Sequence, residues 1–249
     1  MKTVIVSAAI APLQGQPAAG SEQVSQRLAG HRLTVLEERE PWMRVRGADD
    51  YEGWVHRGYV DVDGLARYER RRTSLGCIIR DSRGWPCPLP LGAVLPDEAR
   101  LESGEAIDAT DLPHRFPRRA DAIVRSAVRH FAGTPYQWGG ITPWGADCSG
   151  LVQTIFGLHG VALPRDASQQ ASVGSEVKLA ADALSAADLL FFSDRSDRRI
   201  THVAISLGGP RLVHLALGRG GYRVEDLTDE GDPYVKALLG RYLFARRLL

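Results

Sequence analysis

Three residues of this sequence have the types and spacing for nucleophilic catalysis: Cys148, His202 and His214. Cys148 sits in "WGADCSGLVQTIFGLHG", directly after Asp147. Leu151, Val152, Ile155, Phe156 and Leu158 recur at helical spacing, and Gly160 stops them, so the pattern predicts a helix with Asp147 as its N-cap and the thiol in its first turn. The positive end of a helix dipole stabilises a thiolate and can bring its pKa below neutrality. Placement alone does not make a thiol reactive, because most cysteines are buried and inert. A base does. "ITHVAISLGGPRLVHLAL" carries His202 and His214 on two strands flanking "GGPR", which reads as a β-hairpin. A turn centred on Gly208 sets the two histidines opposite each other on one side. That needs an odd loop or a compensating bulge, since a two-residue loop turns them to opposite faces. One imidazole can then activate the thiol while the other orients it. His31, His56, His114, His130 and His159 are expected to be structural.

These residues need elements to hold them. "PRRADAIVRSAVRHFAG" places Ala120, Ile123, Val124, Ala127, Val128 and Phe131 at helical spacing, ending at Gly133. The loop "TPYQWGGITPWGA" leads into the Cys148 helix. Strands are then expected at "ADLLFFS", "THVAISL", "RLVHLAL" and "YRVEDL", with another at "RYLFARRLL". Helices first and antiparallel strands after is an α+β layout. The first 60 residues read differently. "TVIVSAAI", "RLTVLEERE", "PWMRVRG" and "YEGWVHRGYV" are short strands punctuated by glycine, with "APL" taken as a loop, and they suggest a small barrel. Residues 63–115, rich in proline and glycine, are either a second reduced barrel or a structured linker. The division expected is 1–62, 63–115 and 116–249.

Composition narrows the partners. A formal net charge of +1 points to neither nucleic acid nor membrane held by bulk charge. No stretch is long enough to cross a membrane. The opening apolar run, broken by Pro12 and Gln14, reads as a strand rather than a secretion signal. Three widely spaced cysteines do not make a disulfide framework. Together these favour the cytoplasm, with a secreted or periplasmic location as the alternative. Cys77 and Cys87 have no histidine close in sequence to complete a zinc pattern and are taken as structural; no cofactor or metal is expected.

The succession "GTPYQWGG", "GADCSGLVQ", "LPRDASQQ", "ADLLFF", "ITHVAISLGG" and "LVHLA" resembles the NlpC-type cell-wall cysteine peptidases, over about 130 C-terminal residues. The "W-x-x-V" and "G-W-V" elements of the N-terminal region resemble a bacterial SH3-like barrel. The fold implied is a papain-like catalytic domain, helices plus antiparallel sheet, preceded by one or two small SH3-like barrels. The resemblance makes Cys148 the nucleophile, His202 the general base, His214 its orienter, and Tyr136 a stabiliser of the oxyanion. It points to the subgroup that cuts the γ-D-glutamyl bond to a diamino acid in muropeptides with a free N-terminal L-alanine. A free ammonium calls for a carboxylate and acceptors. Asp147 and Ser149 take that role by resemblance, with Glu52 as an acid from the barrel and Trp85 as its aromatic companion. For a substrate carboxylate the candidate cation is Arg165, with Asp166, Ser168 and Gln169 on the same wall and Trp138 packing beside. Asp166 or Ser168 can equally cap a helix after Pro164. Other readings are a non-catalytic peptidoglycan-binding protein, a zinc site on Cys148, His202 and His214, and an amidase or acyltransferase using the same thiol.

Overall fold

The computed structural model describes residues 2–81, 83–178 and 180–249. The chain forms two compact units: Met1–Arg115 with Trp138–Thr142, and Phe116–Gln137 with Pro143–Leu249.

The first unit begins with a seven-stranded antiparallel sheet. Its strands are β1 (Thr3–Val6), β2 (Ile10–Gln14), β3 (Gln23–Leu28), β4 (Arg32–Arg39), β5 (Trp42–Arg46), β6 (Glu52–His56) and β7 (Val60–Asp61), in the order β3-β2-β6-β5-β4-β1-β7. The alternation in "WMRVR" explains the curl: Met43 and Val45 point in, Arg44 and Arg46 out. Val4, Val6, Ala11, Leu13, Leu33 and Val55 complete the interior. The "APL" stretch is strand β2, not a loop. Ala11 and Leu13 are fully buried, and that burial outweighs the poor strand preference of Pro12 between them.

A second antiparallel sheet follows: β8 (Arg72–Arg80), β9 (Pro86–Leu89), β10 (Val94–Leu95) and β11 (Arg100–Asp108), with β8 paired to all three others. Cys77, Ile79, Leu89 and Leu95 pack with Leu28 and Ala29 of the first sheet and with Ile141. His31 ties the two sheets. Its Nδ1 accepts from the Leu28 N–H at 3.3 Å, and its Nε2 lies 3.3 Å from the Gly92 carbonyl. Burial, then Arg27, lowers its pKa to about 4. After the short α1 (Leu112–Arg115), the last piece of this unit is Trp138–Thr142, which includes β12 (Ile141–Thr142). Gln23 Nε2 donates to the Trp138 carbonyl at 2.9 Å, and the Ile141 N–H donates to Gln26 Oε1 at 3.2 Å. Gly139, at φ +74°, passes so close to Gln23 that a Cβ would sit 2.5 Å from its carbonyl oxygen. Only glycine fits there.

The second unit holds α2 (Ala120–Phe131), β13 (Gly145–Ala146), α3 (Cys148–Leu158), α4 (Ala167–Gln170), β14 (Ser175–Val177), β15 (Leu189–Phe192), β16 (His202–Gly208), β17 (Arg211–Ala216), β18 (Gly221–Asp226), α5 (Pro233–Gly240) and β19 (Tyr242–Arg247). The sheet is antiparallel in the order β14-β19-β15-β16-β17-β18. α3 packs on β16 and β17, and α2 packs on α3. Val235 and Leu238 of α5 bury against Leu190, Phe192, Ala204, Leu212 and Ala245. On α2 the buried stripe is Ala122, Ile123, Ser126, Ala127 and Phe131, while Val128 is exposed. Ser126 turns inward because its hydroxyl lies 2.9 Å from His159 Nε2.

Candidate active site

The helix α3 starts at Cys148 because Asp147 caps it: Asp147 Oδ1 accepts from the Gly150 N–H at 2.7 Å. Leu151, Val152, Ile155 and Phe156 are fully buried and seat the helix on the sheet. The backbone N–H groups of Val203, the residue after His202, and of Ser149 lie close enough to the Cys148 sulfur to favour its thiolate. This sets the thiol against the strand that carries the first histidine.

The β16–β17 hairpin differs in detail from its reading in the sequence. Gly209 and Pro210 form a two-residue loop between Gly208 and Arg211, and a bulge lies between Ser206 and Gly208. Beyond it Ser206 faces Leu212 and Ile205 faces Val213, so the register centres on Gly209. The histidines are therefore diagonal neighbours, not directly opposite, and the bulge keeps them on one face. Diagonal placement brings the rings edge to face, with centroids 5.0 Å apart and His202 Nε2 2.9 Å from His214 Nδ1.

The electrostatics also correct an expectation. Burial first, then the neighbouring Asp147 carboxylate, pushes the Cys148 thiol up to about 12; Val203, Arg165 and Ser149 oppose this without overcoming it. The helix start is outweighed here, because burial and the Asp147 carboxylate both disfavour the thiolate. Burial, then His214 and Arg241, lowers His202 to about 3. Burial thus disfavours the charged form of both the thiol and the His202 imidazole. Half-buried Tyr136 has its hydroxyl pKa raised by burial, then by the charges of Cys148 and Asp147. Its loop is held by β18: the Tyr136 N–H donates to the Gly220 carbonyl at 3.1 Å, and the Tyr222 N–H to the Thr134 carbonyl at 2.9 Å.

Asp147, Ser149 and Arg165 form one buried network. Arg165 donates to both Asp147 oxygens, at 3.0 and 2.6 Å, and to the Ser149 hydroxyl at 2.8 Å; Ser149 donates to Asp147 at 3.1 Å. Arg165, read from the sequence as a cation for a substrate carboxylate, is only 2% exposed and is the counter-ion of Asp147. Asp166 caps α4 in a capping box with Gln169, and Ser168 is exposed on that helix. Gln170, which the sequence did not single out, is fully buried and donates to the Ser149 and Pro164 carbonyls at 3.1 and 2.9 Å.

Glu52, Trp85 and Trp138 belong to the first unit. Glu52 lies in a cleft of about 410 Å³ with Gln16, Glu37, Arg39, Tyr51 and Trp54, and Arg44 and Arg46 each bond it at 2.6 Å. Trp85 and Trp138 are 69% and 60% exposed.

Two residues that sequence reasoning missed stand behind the histidines. His214 Nε2 is 3.5 Å from Glu225 Oε1, and Arg219 bonds both Glu225 oxygens at 2.7 and 3.1 Å. In "YRVEDL" nothing but strand alternation marks Glu225, and its inward face was not legible there.

A helix-borne thiol against a strand pair of histidines, on helices and an antiparallel sheet, is the papain-like arrangement of a cysteine peptidase. Residues 133–237 match the NlpC/P60 family and residues 15–61 match the bacterial SH3 domain. The chain is 37% identical over 237 residues to a gamma-D-glutamyl-L-lysine dipeptidyl-peptidase of Bacillus subtilis, covering 86% of this chain and 78% of the relative. It is 29% identical over 263 residues to dipeptidyl-peptidase 6 of Lysinibacillus sphaericus, covering 92% and 93%. The crystal structure of an NlpC/P60 family protein from Bacillus cereus shares the fold, with a TM-score of 0.80 over 99% of each chain at 20% identity. The chain belongs to the NlpC/P60 family, with an SH3-like N-terminal domain.

Proposed function

We propose that the protein hydrolyses the γ-D-glutamyl–diamino acid bond of peptidoglycan stem peptides that carry a free N-terminal L-alanine. The observation that carries this reading is the 2.9 Å contact between His202 and His214 on the strands beside the capped Cys148 helix. Cys148 attacks the γ-glutamyl carbonyl and passes its proton to His202. His202 gives that proton to the leaving amine, and water then releases the acyl group from sulfur. Tyr136 and the backbone N–H groups of the helix start stabilise the oxyanion. Asp147 and Ser149 read the substrate ammonium, and Arg165 holds both in place. The two relatives, a gamma-D-glutamyl-L-lysine dipeptidyl-peptidase and a dipeptidyl-peptidase 6, support the bond and the two-residue product. Glu52, Trp85 and Trp138 complete the reading as the barrel's contribution to substrate choice, alongside Asp166 and Ser168. Among the described residues no helix is long and apolar enough to cross a membrane; the reading adds a cytoplasmic place of action, on recycled wall fragments. The test is mass-spectrometric digestion of muropeptides with and without a free L-alanine. Release of L-Ala-γ-D-Glu only from the free-amine peptides is expected, and only with Cys148 intact. Equal cleavage of both kinds would remove the amine requirement, and cleavage by Cys148→Ala would remove the mechanism.

A further inference from the structure

The surroundings of His214 constrain more than its position. His214 is fully buried. Its Nδ1 meets His202 Nε2 at 2.9 Å, and its Nε2 faces Glu225 Oε1 at 3.5 Å, with no closer polar partner among the described residues. Glu225 is itself buried and lies diagonal to His214 across β17 and β18, where Leu212 is opposite Glu225 and His214 opposite Arg223. Its carboxylate is gripped on both oxygens by Arg219. Arg219 in turn bonds Asp232 and lies 4.3 Å over the ring of Tyr234. Burial alone would raise the Glu225 carboxyl, but the two hydrogen bonds from Arg219, with His214 facing it, outweigh that and hold the group toward its ionised form.

An ionised carboxylate can only accept, so the nitrogen facing it must carry the proton. A neutral imidazole protonated at Nε2 has a bare Nδ1. That Nδ1 can only accept, so the hydrogen on the shared contact belongs to His202 Nε2. His202, carrying a single ring proton, is then bare at Nδ1, the nitrogen left to take the thiol proton. The opposite assignment aims a lone pair of His214 at the carboxylate. We propose that Glu225, paired with Arg219, is a positioning residue that sets the tautomers of both histidines and so leaves His202 Nδ1 free as the base. When His202 takes the proton from Cys148, the same row of groups places the Glu225 carboxylate behind His214, on the side away from the new charge. The inference rests on the thiol-hydrolase reading, but its direct test does not depend on turnover.

The test is the ¹⁵N spectrum of the full-length protein labelled at histidine, at neutral pH, beside the variant Glu225→Met. In the wild-type protein both His214 and His202 are expected to carry the proton on Nε2. In Glu225→Met the His214 signal should become a mixture of tautomers. Its kcat should fall about 10- to 100-fold with KM little changed, and Glu225→Asp should recover part of the loss. A wild-type His214 protonated at Nδ1 overturns the inference even if the variant fails to fold. So does an unchanged tautomer and kcat in a folded Glu225→Met. Correct tautomers in a protein that cleaves no γ-glutamyl peptide would count against the proposed function and leave this inference standing.

Discussion

At the scale of single residues, the site turns on charges kept in a dry place. Burial that pushes the thiol up to about 12 and the imidazole down to about 3 favours a proton that leaves sulfur during attack rather than before it. Alkylation of Cys148 by iodoacetamide, followed by peptide mapping to separate it from Cys77 and Cys87, should therefore be slow at pH 7. It should rise about tenfold per pH unit up to pH ~10, as expected below a high thiol pKa. A plateau already reached between about pH 4 and 7 would show a thiolate–imidazolium pair at rest instead. The same dryness makes the Asp147–Arg165 pair unforgiving. Asp147→Asn keeps a capping side chain but strips the carboxylate from a buried guanidinium, and should cost about 3–5 kcal/mol in urea unfolding. A cost under about 1 kcal/mol, the range of an exposed pair, would mean that water reaches Arg165. Cysteine and histidine were legible in the sequence because their chemistry is rare and local. Arg165 was not, because the residue that neutralises it lies 18 positions away and only the fold shows that the two are buried together. Glu225 was hidden for the same reason.

At the scale of elements, close backbone approaches place the reactive groups. Gly221, at φ +148°, lets β18 run against the Tyr136 loop; a Cβ there would sit 2.2 Å from the Thr134 carbonyl oxygen. Gly221→Ala should push that loop away and lower kcat on the γ-glutamyl peptide by about tenfold or more, while the Cys148 helix keeps its cap. Unchanged kcat would show that Tyr136 needs no such anchor. In the first unit His31 makes the sheet pair acid-sensitive. Its pKa is near 6.5 unfolded and about 4 folded, so between those values the unfolded chain binds the proton and the folded one refuses it. Stability contributed by the neutral ring is present above pH 6.5 and falls as the pH drops toward 4, by up to about 3 kcal/mol. His31→Gln should flatten the acid limb of the unfolding midpoint; an unchanged limb would assign the sensitivity to His202 and the other buried groups. Strands with β-branched or aromatic alternation could be read directly. β2 and β3 could not: one contains Pro12, and the other buries Ser25, Gln26 and Arg27, of which Gln26 and Arg27 find partners in other parts of the fold.

At the scale of the whole molecule, the chain does not divide at one point. It leaves the first unit after Arg115, returns to it for Trp138–Thr142, and leaves again before Pro143. Ile141, 6% exposed, lies in the cluster with Leu28, Cys77 and Leu89. Ile141→Ala should therefore destabilise by about 2–5 kcal/mol. Hydrogen exchange should show the loss in β3, β8 and β9, strands more than 50 residues from the substitution, rather than in α3. Faster exchange confined to α3 would place the cluster wrongly.

That doubling back has a consequence for descent. A gene joined or cut at the codon for Arg115 would separate Gln23, Gln26 and the Leu28 cluster from five residues encoded further on. A cut there would thus leave the first unit without a piece of its own core. Changes in "QVSQRL" and changes in "WGGIT" are expected to be inherited together, and a lineage that altered one would have to repair the other.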